Sequence, residues 1–187
     1  LGGIKTVSVR NMGASHTAVS YDGAPVDNIE GGQVDIGRFS LNNISRLTLA
    51  VGQENDMLQC ARLYSSASVL GITTRQPQFR EGKNFSMEAK IRTGSWGYVS
   101  PYIKWSQKIT DRIIASIDGD YTHSDGNYPF TLENGAESIK ERRINSKIGN
   151  WHAEANIYMP LSDAHQISVK GYFYHSKRGV PGAVTLY

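Results

Sequence analysis

Asp118 and Asp120 are the two carboxylates in this chain that most resemble a catalytic pair. They stand two residues apart in a segment where apolar and polar residues alternate, so both side chains should project from one face of a strand. Paired carboxylates can serve as general acid and base when their surroundings push the two pKa values apart. The same spacing also arises from ordinary charges on the wet face of a sheet, and we favour this interpretation. We therefore predict no enzymatic activity and no catalytic residue.

The histidines and the single cysteine form no local motif for a metal or a nucleophile. No two of the five histidines stand at a metal-ligand spacing such as H-x-x-x-H. His123, His152 and His175 would meet only if neighbouring strands brought them together, and Cys60 has no local partner that marks a nucleophile. We accordingly predict no metal site and no cofactor.

The elements that must position these side chains are strands, of which we predict about five, antiparallel, in the second half of the chain. In residues 112–124, Ile113, Ala115 and Ile117 fall on one face, and Ser116, Asp118 and Asp120 fall on the other. Residues 150–159 and 167–174 repeat the pattern. Strands of about 9–11 residues with one apolar and one charged face are typical of a transmembrane β-barrel. A soluble antiparallel sheet with one solvated face has the same period of two.

The lengths of the connections favour the membrane barrel. Thr110-Asp111 and Ser162-Asp163 read as tight turns, whereas residues 125–146 form a long polar connection that should lie on the opposite side. Bacterial outer-membrane barrels have short turns on one side and longer extracellular loops on the other. Aromatic residues such as Trp96 and Trp151 stand near the strand ends of the long-loop side, where aromatic belts occur.

Composition excludes several classes of protein. Only 39% of the 187 residues are hydrophobic, and no run of about 18 apolar residues is available for a transmembrane helix. The net charge of +3 is spread along the chain and predicts no nucleic-acid partner. Five strands cannot close a membrane barrel, so we expect this chain to be a fragment of a longer polypeptide.

The first eighty residues have a different texture and predict a small α+β domain. Residues 34–39 read as extended, Ser40 as a cap on a helical turn at 41–44, and Met57 to Tyr64 as a short helix. The predicted strands are Thr6–Val9, Ala18–Tyr21, Leu47–Val51 and Ala67–Thr74.

An ordered series of segments in this region resembles the plug domain of TonB-dependent outer-membrane receptors. The series reads Val7-Ser8-Val9-Arg10-Asn11-Met12-Gly13, Tyr21-Asp22-Gly23-Ala24-Pro25-Val26, Ile44-Ser45-Arg46-Leu47-Thr48-Leu49 and Leu70-Gly71-Ile72-Thr73-Thr74-Arg75. The resemblance covers most of residues 4–77, and the alternating strands follow where the family has its first barrel strands.

The resemblance implies an α+β plug domain in residues 1–80, followed in residues 81–187 by the first strands of an antiparallel barrel of about twenty-two strands. It implies active transport of a scarce nutrient, such as a ferric siderophore, cobalamin, haem or an oligosaccharide, across the outer membrane of a Gram-negative bacterium. The implied partners are TonB, through a TonB box upstream of Leu1, the small-molecule ligand and outer-membrane lipid.

Ligand contacts in this family come from plug apices and extracellular loops. The segments of this chain that match the plug apices are residues 12–16 and 27–33, and the loop candidates follow the predicted strands. The predicted ligand-binding residues are Met12, Ser15, His16, Asn28, Glu30, Gln33, Tyr128, Arg142, Arg143 and Arg178. Ordinary turns and solvated loops would have similar residues.

A second function class stays open on the sequence alone. The aromatic residues between 96 and 130 would also suit a soluble or surface-attached β-rich module that binds carbohydrate. Such a module would need neither a TonB box nor further alternating strands.

Overall fold

The computed structural model describes residues 4–27, 32–52, 59–134, 137–162 and 164–182. The chain divides into two compact units, with the division between Gln76 and Pro77. Each unit contains its own sheet, and strands predominate in both. Within the described residues, no helix has the length and apolar character needed to cross a membrane. The assignment of the two units as plug and barrel stays a prediction.

The N-terminal unit is built on a four-stranded mixed sheet. Its strands are β1 (Thr17–Tyr21), β2 (Ala24–Val26), β3 (Ile44–Val51) and β4 (Ser68–Thr74), in the order β2-β1-β4-β3. β1 and β4 run parallel, and the other two pairs are antiparallel. The connection that makes this parallel pairing possible includes the short helix α1 (Ala61–Tyr64).

Buried apolar side chains lie on both faces of β1 and β4, with Val19, Tyr21 and Ile72 on one face and Val69 on the other. The ring of Tyr21 stacks on that of Phe39 at 4.7 Å between centroids. Asp22 and Gly23 both have positive φ and form the tight β1–β2 turn. The carboxylate of Asp22 accepts hydrogen bonds from the backbone N–H and the hydroxyl of Thr74, which ties this turn to β4.

Two local predictions for this unit were wrong, and a third was right only in part. Residues 6–9 form no strand, because residues 4–16 lead into a turn and a 3-10 helix at Ala14–His16. Residues 36–38 form a 3-10 helix capped by Asp35, whose side chain accepts from Gly37 N–H. The predicted helix at 57–64 extends only over α1, and residues 57 and 58 lie outside the described part. The Ser40 cap is confirmed, since its hydroxyl accepts from Asn42 N–H.

The C-terminal unit is a five-stranded antiparallel sheet with a separate hairpin. The sheet order is β11-β10-β7-β6-β5. Its strands are β5 (Phe85–Gly94), β6 (Tyr98–Lys108), β7 (Ile114–Ser124), β10 (Ile148–Ser162) and β11 (His165–Arg178). The long connection predicted at 125–146 contains the hairpin of β8 (Pro129–Asn134) and β9 (Glu137–Arg142). Alternation thus correctly predicted the five-strand meander but missed this hairpin.

The connections lie at two ends of this sheet. At the end we call the turn end, residues 109–113 join β6 to β7, and β10 joins β11 at Ser162 and Ala164, with Asp163 outside the described residues. At the loop end lie residues 95–97, the β8–β9 hairpin and the residues after β11. The predicted separation of short and long connections is confirmed, apart from the short turn at 95–97.

One face of this sheet is polar and the other apolar, and the polar face is the more buried of the two. The face that we call the polar face includes Lys104, Asp118 and Glu154, which are 6%, 2% and 1% exposed. The apolar face includes Trp105 and Ile117, which are 43% and 58% exposed. Cross-strand register keeps the faces separate, because Lys104 pairs with Asp118 and Trp105 with Ile117. The sheet therefore buries its charges and exposes its large apolar side chains.

Candidate functional site

The polar face of the sheet carries a continuous row of charges. Glu88, Lys104, Asp118 and Glu154 are successive cross-strand neighbours from β5 to β10. Lys170 on β11 donates to Glu154 Oε1 at 2.7 Å, and Asn156 Nδ2 donates to the same oxygen at 2.9 Å. Opposite charges thus compensate one another along the row, as buried charges require.

Asp118 and Asp120 do share one face, as predicted, but their neighbours differ. Asp118 lies between Lys104 and Glu154, whereas Asp120 Oδ2 is 3.3 Å from Nδ1 of His152. The two carboxylates therefore belong to separate parts of the polar face. Their arrangement is that of charges paired along a wall, and the prediction that the chain has no catalytic residue is not tested by it.

The three strand histidines are not brought together. His152 is buried on the polar face. His123 and His175 lie on the apolar face, where His123 pairs with Gly149 and His175 pairs with Trp151. The sheet therefore separates His152 from the other two histidines. Among the described residues, no group of three or more His, Cys, Asp or Glu side chains is placed to hold a metal ion.

A pocket of about 450 Å³ lies at the loop end of the sheet, and we call it the loop-end pocket. Its chemistry comes from Trp96, Tyr98, Tyr128, Arg143, Ser124 and Ser146. The Trp96 and Tyr128 rings meet edge to face at 6.1 Å between centroids, and Phe130 extends this aromatic group at 6.4 Å from Tyr128. A half-buried guanidinium therefore lies beside aromatic rings and hydroxyl groups.

Hydrogen bonds between loops fix the shape of this pocket. Trp96 O accepts from the backbone N–H of Asp125 and from the hydroxyl of Ser124. The hydroxyl of Ser146 donates to Gly126 O at 2.7 Å. The backbone N–H of Arg143 donates to Tyr128 O at 2.9 Å, which positions both predicted residues at the base of the hairpin.

The predicted loop residues have three different environments. Tyr128 and Arg143 both line the loop-end pocket. Arg142 instead donates from Nη1 to Asn127 O at 3.2 Å, so its guanidinium supports the hairpin base. Arg178 donates to the hydroxyls of Ser176 and Tyr174, which holds its side chain along β11. Adjacent arginines in sequence thus differ in role because one is engaged by the loop backbone.

The predicted residues of the N-terminal unit form a separate group. Met12, Ser15 and His16 are exposed side chains of one turn, in which Arg10, Asn11 and Gly13 have positive φ. Gln33 is exposed and directly precedes the buried Val34. Asn28 and Glu30 lie outside the described residues. None of these assignments as ligand contacts is tested by the structure.

Sequence reasoning did not include Trp96, Ser124 or Ser146 among the ligand-binding residues. The sequence places Trp96 at a strand end and in the aromatic stretch 96–130 of the alternative carbohydrate-binding module, and the two serines resemble ordinary loop residues. The available signals were Gly97 and Gly126, which mark tight turns and have φ of 68° and 62°. The pocket offers stacking surfaces, hydroxyl groups and one cation, which suits an organic ligand that is polar or anionic.

Comparison with known proteins identifies a class of fold. Ten solved chains match this one. One of them is the copper transporter OprC, with a TM-score of 0.69 and 14% sequence identity over 95% of this chain and 25% of that chain. This chain thus spans about a quarter of OprC, and the likeness is one of fold. No family model matches the sequence, and no curated protein matches it.

Proposed function

We propose that this chain is part of a TonB-dependent active transporter that carries a scarce nutrient across the outer membrane of a Gram-negative bacterium. The observation that carries the proposal is the inverted polarity of the five-stranded sheet. Ile103, Trp105, Ile117 and Phe173 are 43% to 60% exposed, whereas Lys104, Asp118 and Glu154 on the other face are at most 6% exposed. Water-soluble sheets place their charges outward and their large apolar side chains inward.

Lipid is the solvent that suits this arrangement. Contiguous apolar surface of this kind marks a membrane or a protein interface when it exceeds a few hundred Å². The five strands have 10 to 15 residues, and a tilted strand needs about 9–11 residues to cross a bilayer. On the polar face, the hydroxyl of Ser116 and Nε2 of His152 are buried and make no hydrogen bond within the described residues. Such groups need water or another polar partner, as in a wet lumen.

The remaining parts of the proposal rest on the sequence resemblance and on the likeness of fold to OprC. The N-terminal unit is the plug, the five strands belong to a larger closed barrel, and TonB acts through a segment upstream. The loop-end pocket, with Trp96, Tyr128 and Arg143, receives the nutrient on the outer side. No catalytic residue is assigned to this chain. The exposed apolar face argues against the soluble carbohydrate-binding module.

The first test is the location and heat stability of the intact native protein. Membrane fractionation should recover it in the outer membrane, and a closed barrel should migrate differently on a gel before and after boiling. A protein in the soluble fraction without a mobility shift would exclude the proposal. Energised uptake should then be screened with ferric siderophores, cobalamin, haem and oligosaccharides, and with copper ions because OprC is a copper transporter.

Spin labels test the inverted sheet directly. A nitroxide at Ile117 should be accessible to oxygen in lipid, and one at Ser116 should be shielded from it. Labels at two other positions of β7 repeat the comparison, because Ala115 shares the apolar face with Ile117 and Asp118 shares the polar face with Ser116. Equal access to a water-soluble relaxant at all four positions would contradict the membrane assignment.

A further inference from the structure

A second cleft lies at the loop end of the sheet, on the apolar face. Its volume is about 590 Å³, and its chemistry comes from Tyr121, Trp151, His123, His175, Lys147 and Lys177. We call it the rim cleft. All of these residues belong to the C-terminal unit, and Arg178, which also lines the cleft, is its one lining residue that was predicted to bind ligand.

Strand register explains why these side chains share one cleft. Tyr121, Trp151 and His175 form one cross-strand row, and His123, Gly149 and Lys177 form the next row toward the loop end. The Tyr121 and Trp151 rings are 4.3 Å apart between centroids. Gly149 has no side chain, so the middle of the second row stays open between His123 and Lys177.

Positive charge predominates around this opening. Lys147 is exposed, and its Nζ lies 3.8 Å from Asp125 Oδ1, which is a long contact for an ion pair. The same carboxylate oxygen is 3.4 Å from His123 Nε2. Lys177 is exposed and makes no side-chain hydrogen bond or ion pair within the described residues. Lys147 and Lys177 thus supply two cations at the cleft, and Arg178 also lines it, with its guanidinium engaged by Ser176 and Tyr174.

We propose that the rim cleft binds the phosphorylated headgroup of an outer-leaflet lipid. The lysines would pair with phosphate oxygens, and the Tyr121–Trp151 pair would lie at the level where headgroups meet acyl chains, as aromatic belts do. The proposal rests on the membrane function proposed above.

The surface below the cleft favours a lipid over free phosphate. In the row next to Tyr121 and Trp151, Ala153 pairs with Phe173, which is 60% exposed, and farther down Ile157 pairs with the exposed Val169. An apolar stripe therefore continues from the cations along β10 and β11, where acyl chains would lie. Free phosphate would use the lysines alone and would gain nothing from this stripe.

The test is lipid retention by the intact protein, purified from outer membranes in mild detergent and examined by native mass spectrometry. We expect phosphorylated lipid to stay bound to the native protein. The double variant Lys147→Gln/Lys177→Gln should retain at least about tenfold less lipid, because each cation near a lipid surface contributes to the binding free energy. Lys83→Gln/Arg112→Gln removes the same charge from two exposed cations near the turn end and should retain lipid normally.

Two further measurements make the outcome specific. Gly149→Leu places a side chain in the opening, where an added Cβ would be 3.6 Å from the Tyr121 hydroxyl, and it should reduce retention without changing charge. In a competition assay with vesicles, diphosphorylated lipid A should displace the phosphorylated lipid that is bound to the protein. Dephosphorylated lipid A and inorganic phosphate should not displace it. Equal loss of lipid in Lys147→Gln/Lys177→Gln and in Lys83→Gln/Arg112→Gln, or competition by inorganic phosphate alone, would overturn the proposal. The protein would still shift on heating in that case, so the transporter proposal is judged separately.

Discussion

Lys170 Nζ lies 2.7 Å from Glu154 Oε1, and this ion pair joins β11 to β10 on the polar face of the sheet. The Glu154 side chain is fully buried, and Asp118 is its direct cross-strand neighbour on β7. Two carboxylates therefore stand side by side in a buried row, where they depend on lysines from both sides. Lys104 supplies the cation next to Asp118, and Lys170 supplies the cation next to Glu154.

Lys170→Gln should destabilise the sheet strongly. Removing one partner of a buried pair leaves an uncompensated charge, which costs about 3–5 kcal/mol. We expect the free energy of unfolding, measured by denaturant titration in lipid vesicles, to fall by about that amount, and Glu154→Gln in the same chain to restore part of it.

Lys90→Gln is the matched control for this change. Lys90 also pairs with a glutamate, Glu88, but its side chain is 45% exposed, so the pair should contribute at most about 1 kcal/mol. Similar losses for the two lysine variants would contradict the view that the row around Glu154 is buried and coupled.

Ile117→Arg should lower the free energy of unfolding, because this side chain lies on the apolar face of the sheet. Ile117 is 58% exposed on the apolar face, and an arginine facing lipid near the middle of a bilayer costs about 2–4 kcal/mol. The comparison variant is Ile144→Arg, since Ile144 is 79% exposed but lies in the connection between β9 and β10. Denaturant titration in vesicles should show a large loss only for Ile117→Arg. Two small losses are the result expected of a sheet in water.

Arg143→Gln should weaken nutrient binding more than Arg142→Gln. Arg143 lines the loop-end pocket, whereas the Arg142 guanidinium is engaged by Asn127 O. A hydrogen bond to a charged group contributes about 1.5–3 kcal/mol, so the concentration for half-maximal uptake of an anionic nutrient should rise at least about tenfold for Arg143→Gln. Equal effects of the two variants would remove Arg143 from the site.

Trp96→Ala should impair the same uptake through loss of the aromatic surface. Its edge-to-face contact with Tyr128 would be lost, an effect of about 1 kcal/mol beyond the area buried. Trp105→Ala is the control, because Trp105 stacks on Phe85 on the apolar face and is absent from the pocket. Normal uptake by Trp96→Ala would show that the pocket is not used.

Gly126→Ala should distort the loop-end pocket. Gly126 has a φ of 62°, and an added Cβ would lie 2.6 Å from Ser146 O, the residue whose hydroxyl donates back to Gly126. Gly82→Ala shares the positive φ, at 70°, but has open space around the added carbon. The thermal midpoint of unfolding should therefore fall further for Gly126→Ala, since only this variant combines backbone strain with a collision. Equal shifts would mean that the loop yields easily.

Local sequence predicted several elements correctly because their causes are local. The alternation in β7, β10 and β11 follows from the pleat, which sends successive side chains to opposite faces. The Ser40 cap follows from a hydroxyl that accepts a backbone hydrogen bond from a residue two positions away. These features need no information from distant residues.

Other features were missed because distant contacts decide them. The 3-10 helix at 36–38 replaced a predicted extended segment because Asp35 caps it and also accepts from the backbone N–H of Lys5. Arg142 and Arg143 are equivalent in sequence, yet only the folded hairpin base engages one of them. The loop-end pocket itself depends on three segments that are distant in sequence, within residues 94–98, 124–148 and 179–181.

The sequence by itself determined that the C-terminal strands have one apolar and one charged face, since a period of two is a property of neighbouring residues. Only the tertiary structure decided that the charged face, with Asp118 and Glu154, is the buried one and that Ile117 and Trp105 face outward. The physical reason is that alternation is the same for a sheet in water and a sheet in lipid. The charged face can be the buried one because Lys104 and Lys170, from neighbouring strands, compensate Asp118 and Glu154.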